Sequence, residues 1–226
     1  MLTKRSGVAM FRCEIDHLTI TAPTLAAGAA YIERALGVPL QAGGEHPRMG
    51  THNLLLKLGD ALFLEVIAVN PAAARPPRPR WFALDELGVD APPRLAHWVA
   101  RPVVPGDSIR SAPADCLEIA GPIETMTRGD LQWLITIPSG GGLPMGGAVP
   151  ALIEWQTPGH PAAGLHDKGC TLRGFEIHTV ESRRVGALLD SLALGAAVTL
   201  VPLAAGEATR LIAHVDTPAG LRSIGA

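Results

Sequence analysis

Residues 14–21 (EIDHLTIT) alternate between polar and apolar positions, the period of a half-buried strand. Thr24 is placed to cap a helix whose Leu25, Ala29, Ile32 and Leu36 recur at helical spacing, and Gly37 suits its end. A turn is predicted at Gly43–Gly44 and a short strand near His46–Gly50. Two further strands follow, Thr51–Leu58 and Ala61–Val69, joined by Gly59–Asp60. The order is βαβββ. Pro71–Arg80 (PAAARPPRPR) reads as a stiff extended linker, and Trp81–Gly88 as a short helix. The same order then recurs: a strand at Arg94–Arg101, a poor helix around Ser108–Cys116 interrupted by Pro113, and strands at Pro122–Thr127, Leu131–Ile137 and Ala151–Gln156. From Leu172 the pattern gives strand, helix, strand, strand, an incomplete βαββ unit. Residues 1–12 read as a loose tail.

The fold class expected is therefore α+β. Paired βαβββ modules at about 13–70 and 94–157, within 13–170, would form a half-open mixed β-barrel, with an extra C-terminal βαββ unit at 171–226. A chain of 226 residues with 47% hydrophobic residues can bury a sizeable core. A formal charge of −2 without a basic block argues against nucleic acid or an anionic membrane surface as partner. The uncharged stretch Leu131–Ile153 is too rich in Gly and Pro to be a membrane span and reads as two strands joined by a loop. Cys13, Cys116 and Cys170, odd in number and far apart, fit a reducing compartment, and the N-terminus shows no signal-peptide pattern. A cytoplasmic protein is expected.

The repeat carries the candidate chemistry. Aligning the two modules places His17 on His97, Asn53 on Gln132 and Glu65 on Glu154, with the difference in spacing absorbed by the Gly/Pro-rich loop 138–150. Glu65 lies in a strand that is apolar on both alternating faces, so its carboxylate needs a cation, a donor or a metal, or else must stay protonated. Two such Glu and two strand His related by an internal dyad suit an N/O metal site for Zn, Ni, Co, Mn or Fe. The bland alternative is a polar pocket holding water or an organic anion. Arg48, Asn53 and Arg101 are substrate-binding candidates; equally, Arg48 and Asn53 organise the turn between them, and Arg101 is a strand-end solvent charge. Glu176 and His178 share a face in the third unit and read as an edge or dimer contact, in a chain expected to be a homodimer.

At IDHLTI, HPRMGTHNLLLKLGDALFLEVI and LPMGGAVPALIEWQTPGHPA, the chain resembles the glyoxalase-like domain family of the vicinal-oxygen-chelate superfamily. The resemblance implies paired modules with the site inside a half-open barrel. Like glyoxalase I, the chain shows His–Glu–His–Glu order across two modules, which implies His17, Glu65, His97 and Glu154 as metal ligands. It also implies a lyase or isomerase moving a proton beside a carbonyl of a small molecule, with Glu154 as base and Glu65 second. An extradiol-type oxygenase would use His17, His97 and Glu154 alone. A metal-free small-molecule binding protein is the reading from another class. The long Pro-rich linker, the weak second helix and the appended third unit depart from glyoxalase I.

Overall fold

The computed structural model describes residues 11–225, so most of the expected tail lies outside the described residues. The first module runs β1 (Cys13–Thr21), α1 (Leu25–Leu36), β2 (Gln41–His46), β3 (Thr51–Gly59) and β4 (Leu62–Val69). The second runs β5 (Arg94–Pro102), α2 (Ala114–Ala120), β6 (Ile123–Arg128), β7 (Leu131–Thr136) and β8 (Ala151–Trp155). Their eight strands form one curled sheet in the order β2-β3-β4-β1-β5-β8-β7-β6. β1 is parallel to β4 and β5 to β8, while β1 and β5 meet antiparallel at the centre. This is the α+β half-barrel expected.

Local chemistry explains the elements. Thr24 accepts from the Ala27 N–H at 3.1 Å, and Gly37, at φ 74°, closes α1 through its N–H to the Glu33 carbonyl. Pro113 does break the helix before α2, leaving a 3-10 turn at Ile109–Ser111 and α2 behind it. The first module departs from expectation at Gly43 and Gly44. They lie inside β2, at a register irregularity between Ala42 and Glu45, and the turn falls after His46. A Cβ at Gly43 would sit 2.0 Å from Asn53 Oδ1, so glycine lets the edge strand close on that amide.

The C-terminal unit has its own sheet, in the order β10-β9-β11-β12, from β9 (Thr171–Thr179), α3 (Ser182–Ser191), β10 (Thr199–Pro202), β11 (Arg210–Thr217) and a short additional strand, β12 (Gly220–Ile224). In this sheet β9 lies between β10 and β11, whereas β1 and β5 each pair with their module's last strand, so this unit is no third copy of the module. It packs on the convex side of the barrel, where Trp98 meets Phe175 at 5.3 Å and Gly225 N–H donates to the Tyr31 hydroxyl at 3.0 Å. Among the described residues no helix is long and apolar enough to cross a membrane.

α1 lies so close to β4 that a Cβ at Gly28 would stand 2.3 Å from Val66 Cγ1. Gly28→Ala is expected to destabilise the protein by about 1–3 kcal/mol despite alanine's better helix propensity. Urea denaturation measures it, and an unchanged or raised midpoint would refute the packing.

Candidate functional site

The site is built around a local two-fold axis between β1 and β5. His17 pairs with Val99 and Thr19 with His97, so the two histidines exchange across the Leu18–Trp98 pair, the equivalence drawn from the repeat. Each strand carries one extra residue in this pairing, Asp16 on β1 and Ala96 on β5, and the same axis relates these two bulges. A bulge turns consecutive side chains to one face. Asp16 therefore joins His17 on the concave side, where strict alternation would send it to the other.

The axis also decides the fate of the two glutamates. Thr19 pairs with Glu65 in β1/β4, and its counterpart Val99 pairs with Ala151 in β5/β8. The structural partner of Glu65 is thus Ala151; Glu154 lies three residues further on, and an odd displacement turns a strand residue to the opposite face. Glu154 accordingly faces away from the concave cavity, accepting from Ser108 Oγ at 2.5 Å, Ile109 N at 3.1 Å and Gln156 Nε2 at 2.6 Å, while its neighbours Ile153 and Trp155 line the cavity. The first module supplies Asp16–His17–Glu65 where the second supplies Ala96–His97–Ala151.

Asp16 is fully buried and its carboxylate is saturated. Oδ1 accepts from His17 Nδ1 at 2.6 Å; Oδ2 accepts from Trp155 Nε1 at 2.9 Å and His160 Nε2 at 3.0 Å. Burial pushes this carboxyl up, but the hydrogen bonds from His160 and His17 outweigh it and hold Asp16 well below the usual carboxylate range. An ionised carboxylate only accepts, so His17 presents a proton on Nδ1 to Asp16 and turns Nε2 towards Glu65. His160 is fixed likewise, because its Nδ1 accepts from the Ala162 N–H at 3.1 Å. His17 Nε2 and Glu65 Oε2 stand 3.8 Å apart, too far for a hydrogen bond. Glu65 is anchored through Oε1 by Asn53 Nδ2 at 2.6 Å, and Asn53 Oδ1 is held by the Gly44 N–H at 2.7 Å.

These groups open into a slot of about 410 Å³ of atom-free space, part of it open to solvent. Its first-module wall is His17, His46, Asn53, Leu55, Phe63 and Glu65; its second-module wall is Arg128, Trp133, Ile135, Ile153 and Trp155. Phe63 stacks on His17 with ring centroids 4.6 Å apart. Trp81 and Phe82 close the slot from a 3-10 segment, Trp81–Glu86, in which Phe82 and Ala83 are both left-handed, at φ 58° and 54°. Such conformations cost about 1–3 kcal/mol each. The Ala83 N–H to Gly141 carbonyl bond, at 2.8 Å, helps to hold them. Burial, aided by the Arg128 charge, depresses His46 to about 3, so its imidazole is neutral.

His97 lies behind Phe82, ring centroids 5.3 Å apart, and lines a second cavity with Phe82 and Ala151. Burial depresses it to about 3, against an opposing hydrogen bond to the Gly147 backbone. Its Nδ1 is buried without a partner because Ala96 stands where Asp16 serves His17. Arg48 is not at the cavity: it pairs with Glu124 and donates to the Thr125 carbonyl at 2.6 Å, tying the turn after β2 to β6. Arg101 donates to the Ile15 carbonyl and to Glu14, both at 3.1 Å, away from the slot. Of the three substrate-binding candidates, only Asn53 lines it.

The donors do not fit an ion held by His17, Glu65, His97 and Glu154, since only the first two share the slot. Among the described residues no three His, Cys, Asp or Glu side chains form a group able to hold a metal. The His17, His97 and Glu154 set of an extradiol-type oxygenase is divided in the same way. Asp16, His46, Arg128 and His160 were not found by sequence reasoning; an Asp-His pair in an apolar strand was the available signal for Asp16, and for the others there was none.

The model of the family described as a glyoxalase-like domain matches residues 15–193. No curated protein matches the chain. A solved structure of a hypothetical protein from Staphylococcus aureus is similar at 11% identity and a TM-score of 0.51, over 80% of this chain and 75% of that one. Streptomyces coelicolor methylmalonyl-CoA epimerase, in complex with 2-nitronate-propionyl-CoA, aligns at 17% identity and a TM-score of 0.42, over 67% and 99%. A variant of 4-hydroxymandelate synthase from the same organism aligns at 15% identity and a TM-score of 0.38, over 95% and 62%.

Proposed function

The chain belongs to the glyoxalase-like domain family of the vicinal-oxygen-chelate superfamily, and on that footing we propose that it moves a proton beside a carbonyl of a small molecule held in the slot. His17 and Glu65 are the acid–base pair. The observation that carries this reading is the bulge at Asp16, which brings a carboxylate against His17 Nδ1 and aims Nε2 at Glu65 across 3.8 Å. A reacting atom about 3–3.5 Å from both would sit beside the pair, on its slot side. Nε2 takes the proton as the C–H bond breaks, the electron pair moves onto the carbonyl oxygen, and the Asp16 carboxylate stabilises the imidazolium. Return of the proton to the carbon, or to the oxygen, completes exchange or isomerisation. Glu65, anchored by Asn53, reaches the same reacting centre from beside His17. No step is assigned to a metal, because the donor quartet does not assemble.

Exchange of substrate C–H for deuterium in D₂O, followed by proton NMR over a set of 2-oxo acids and aryl ketones with phenylpyruvate first, tests the proposal. The protein is expected to accelerate exchange of at least one member. His17→Asn and Glu65→Gln should each lower the rate by about 10²–10⁴-fold with the fold retained. Exchange no faster than with free imidazole would overturn it. If ligands still bound, the small-molecule binding protein would take its place, a reading favoured by the apolar wall that the second module builds from Trp133, Ile135, Ile153 and Trp155. Exchange that depended on an added divalent ion would restore the metal-dependent form.

A further inference from the structure

We infer that the slot's ligand is a planar aromatic acid whose carboxylate is received by Arg128. The inference rests on the reading of the slot as the functional site, and does not need the proton transfer.

Other arginines of the barrel already have carboxylate partners: Arg78 meets Glu124 at 2.9 Å, Arg80 meets Asp85 at 2.5 Å and Arg101 meets Glu14 at 3.1 Å. Arg128 has none within 4.0 Å among the described residues. Its contacts are one nitrogen, Nη1, at 3.4 Å from both His46 Nε2 and Asn53 Oδ1, two neutral acceptors at the limit of hydrogen bonding. Asn53 is itself committed, its amide nitrogen to Glu65 and its oxygen to Gly44, so it separates the guanidinium from the nearest acid. A part-buried guanidinium offers five donors in a planar fork, and here most are free.

A second donor lacks an acceptor independently. Trp81 Nε1 is buried without a partner in a residue that lines the slot. One buried donor without an acceptor, beside a part-buried guanidinium with donors to spare, suits a ligand rich in acceptors, and a carboxylate matches the guanidinium fork on two oxygens. The rest of the wall selects the body of the ligand. Phe63, Trp81, Phe82, Trp133 and Trp155 present ring faces and edges to the slot, against which a flat aromatic ring packs better than a puckered aliphatic one.

Tryptophan fluorescence reads binding directly, since three of the four tryptophans line the slot. Benzoate, benzamide and cyclohexanecarboxylate separate charge from planarity. Benzoate is expected to bind about 10–100-fold tighter than the neutral benzamide, and tighter than the puckered cyclohexanecarboxylate. Arg128→Met should abolish the preference for benzoate over benzamide, and Arg128→Lys should retain part of it, with thermal melts showing that both variants fold. Equal binding of benzoate and benzamide, or a preference that survives Arg128→Met, would overturn the inference. The His17→Asn variant keeps the two proposals apart: it should lose exchange activity and keep the benzoate preference. Exchange without that preference would remove only the aromatic acid. The preference without exchange would support it and remove only the proton transfer.

Discussion

Asp16→Ala is expected to lower the unfolding free energy by about 3–5 kcal/mol, the cost of breaking a buried charged network by removing one partner. Asp16 is fully buried and accepts three hydrogen bonds, from His17, Trp155 and His160, which come from β1, β8 and the segment after β8. Its loss leaves three buried donors without an acceptor. It joins the two modules as well, since β1 and β8 belong to different halves of the sheet. Asp16→Asn separates stability from orientation. The amide keeps the shape, but presents an NH₂ to groups that are all donors. If that NH₂ faces His17, the imidazole must shift its proton to Nε2, the atom that has to accept. Exchange activity is then expected to fall by about 10²–10⁴-fold. Urea denaturation and imidazole NMR read the two effects; a cost below about 1 kcal/mol for Asp16→Ala would show that the network carries no stability.

Acid should unfold the protein steeply. His46 and His97 are both depressed to about 3 when folded, chiefly by burial, whereas an unfolded histidine titrates near its ordinary 6.5. Between these values the unfolded chain binds two more protons than the folded one, so stability rises with pH in that window and falls on acidification. The expected slope is about 3 kcal/mol per pH unit between about pH 6 and pH 4. Asp16 adds to the loss lower down. Its folded value is depressed, so its contribution is present above the ordinary carboxylate range and disappears as pH falls through that range and below. His97→Leu should remove one proton from the balance and roughly halve the slope between pH 6 and pH 4. Equal unfolding free energies at pH 7 and pH 5 would contradict the neutral buried pair.

Much of the architecture was open to reading because its causes are local. Alternation marked β1, and apolar stretches beside the Gly59–Asp60 turn marked β3 and β4; Thr24 and Gly37 bounded α1; and the glycines and prolines of 138–150 separated β7 from β8. The repeat was enough to equate His17 with His97, and the apolar run around Glu65 was enough to require a partner for its carboxylate. That partner is Asn53, itself among the residues the sequence had put forward, although as a ligand for substrate.

Which face each chemical group occupies was decided elsewhere. A strand's alternation predicts facing only while the strand is regular, and the bulge at Asp16 carries that residue to the same side as His17. The similarity of LFLEVI to ALIEWQ aligned Glu65 with Glu154, but the β5/β8 pairing sets Ala151 opposite Val99 and leaves Glu154 three positions away. Pairing register is a property of two strands held by contacts distant along the chain, so no single segment encodes it. For the same reason Arg128 and His46, on the outermost strands of the two modules, meet only when the sheet curls. The sequence by itself determined the modules, their order and the histidine pair, because propensity and periodicity act over a few residues. The tertiary structure decided which groups share the slot, because a one-residue change in register costs little locally and reverses the direction of every side chain that follows.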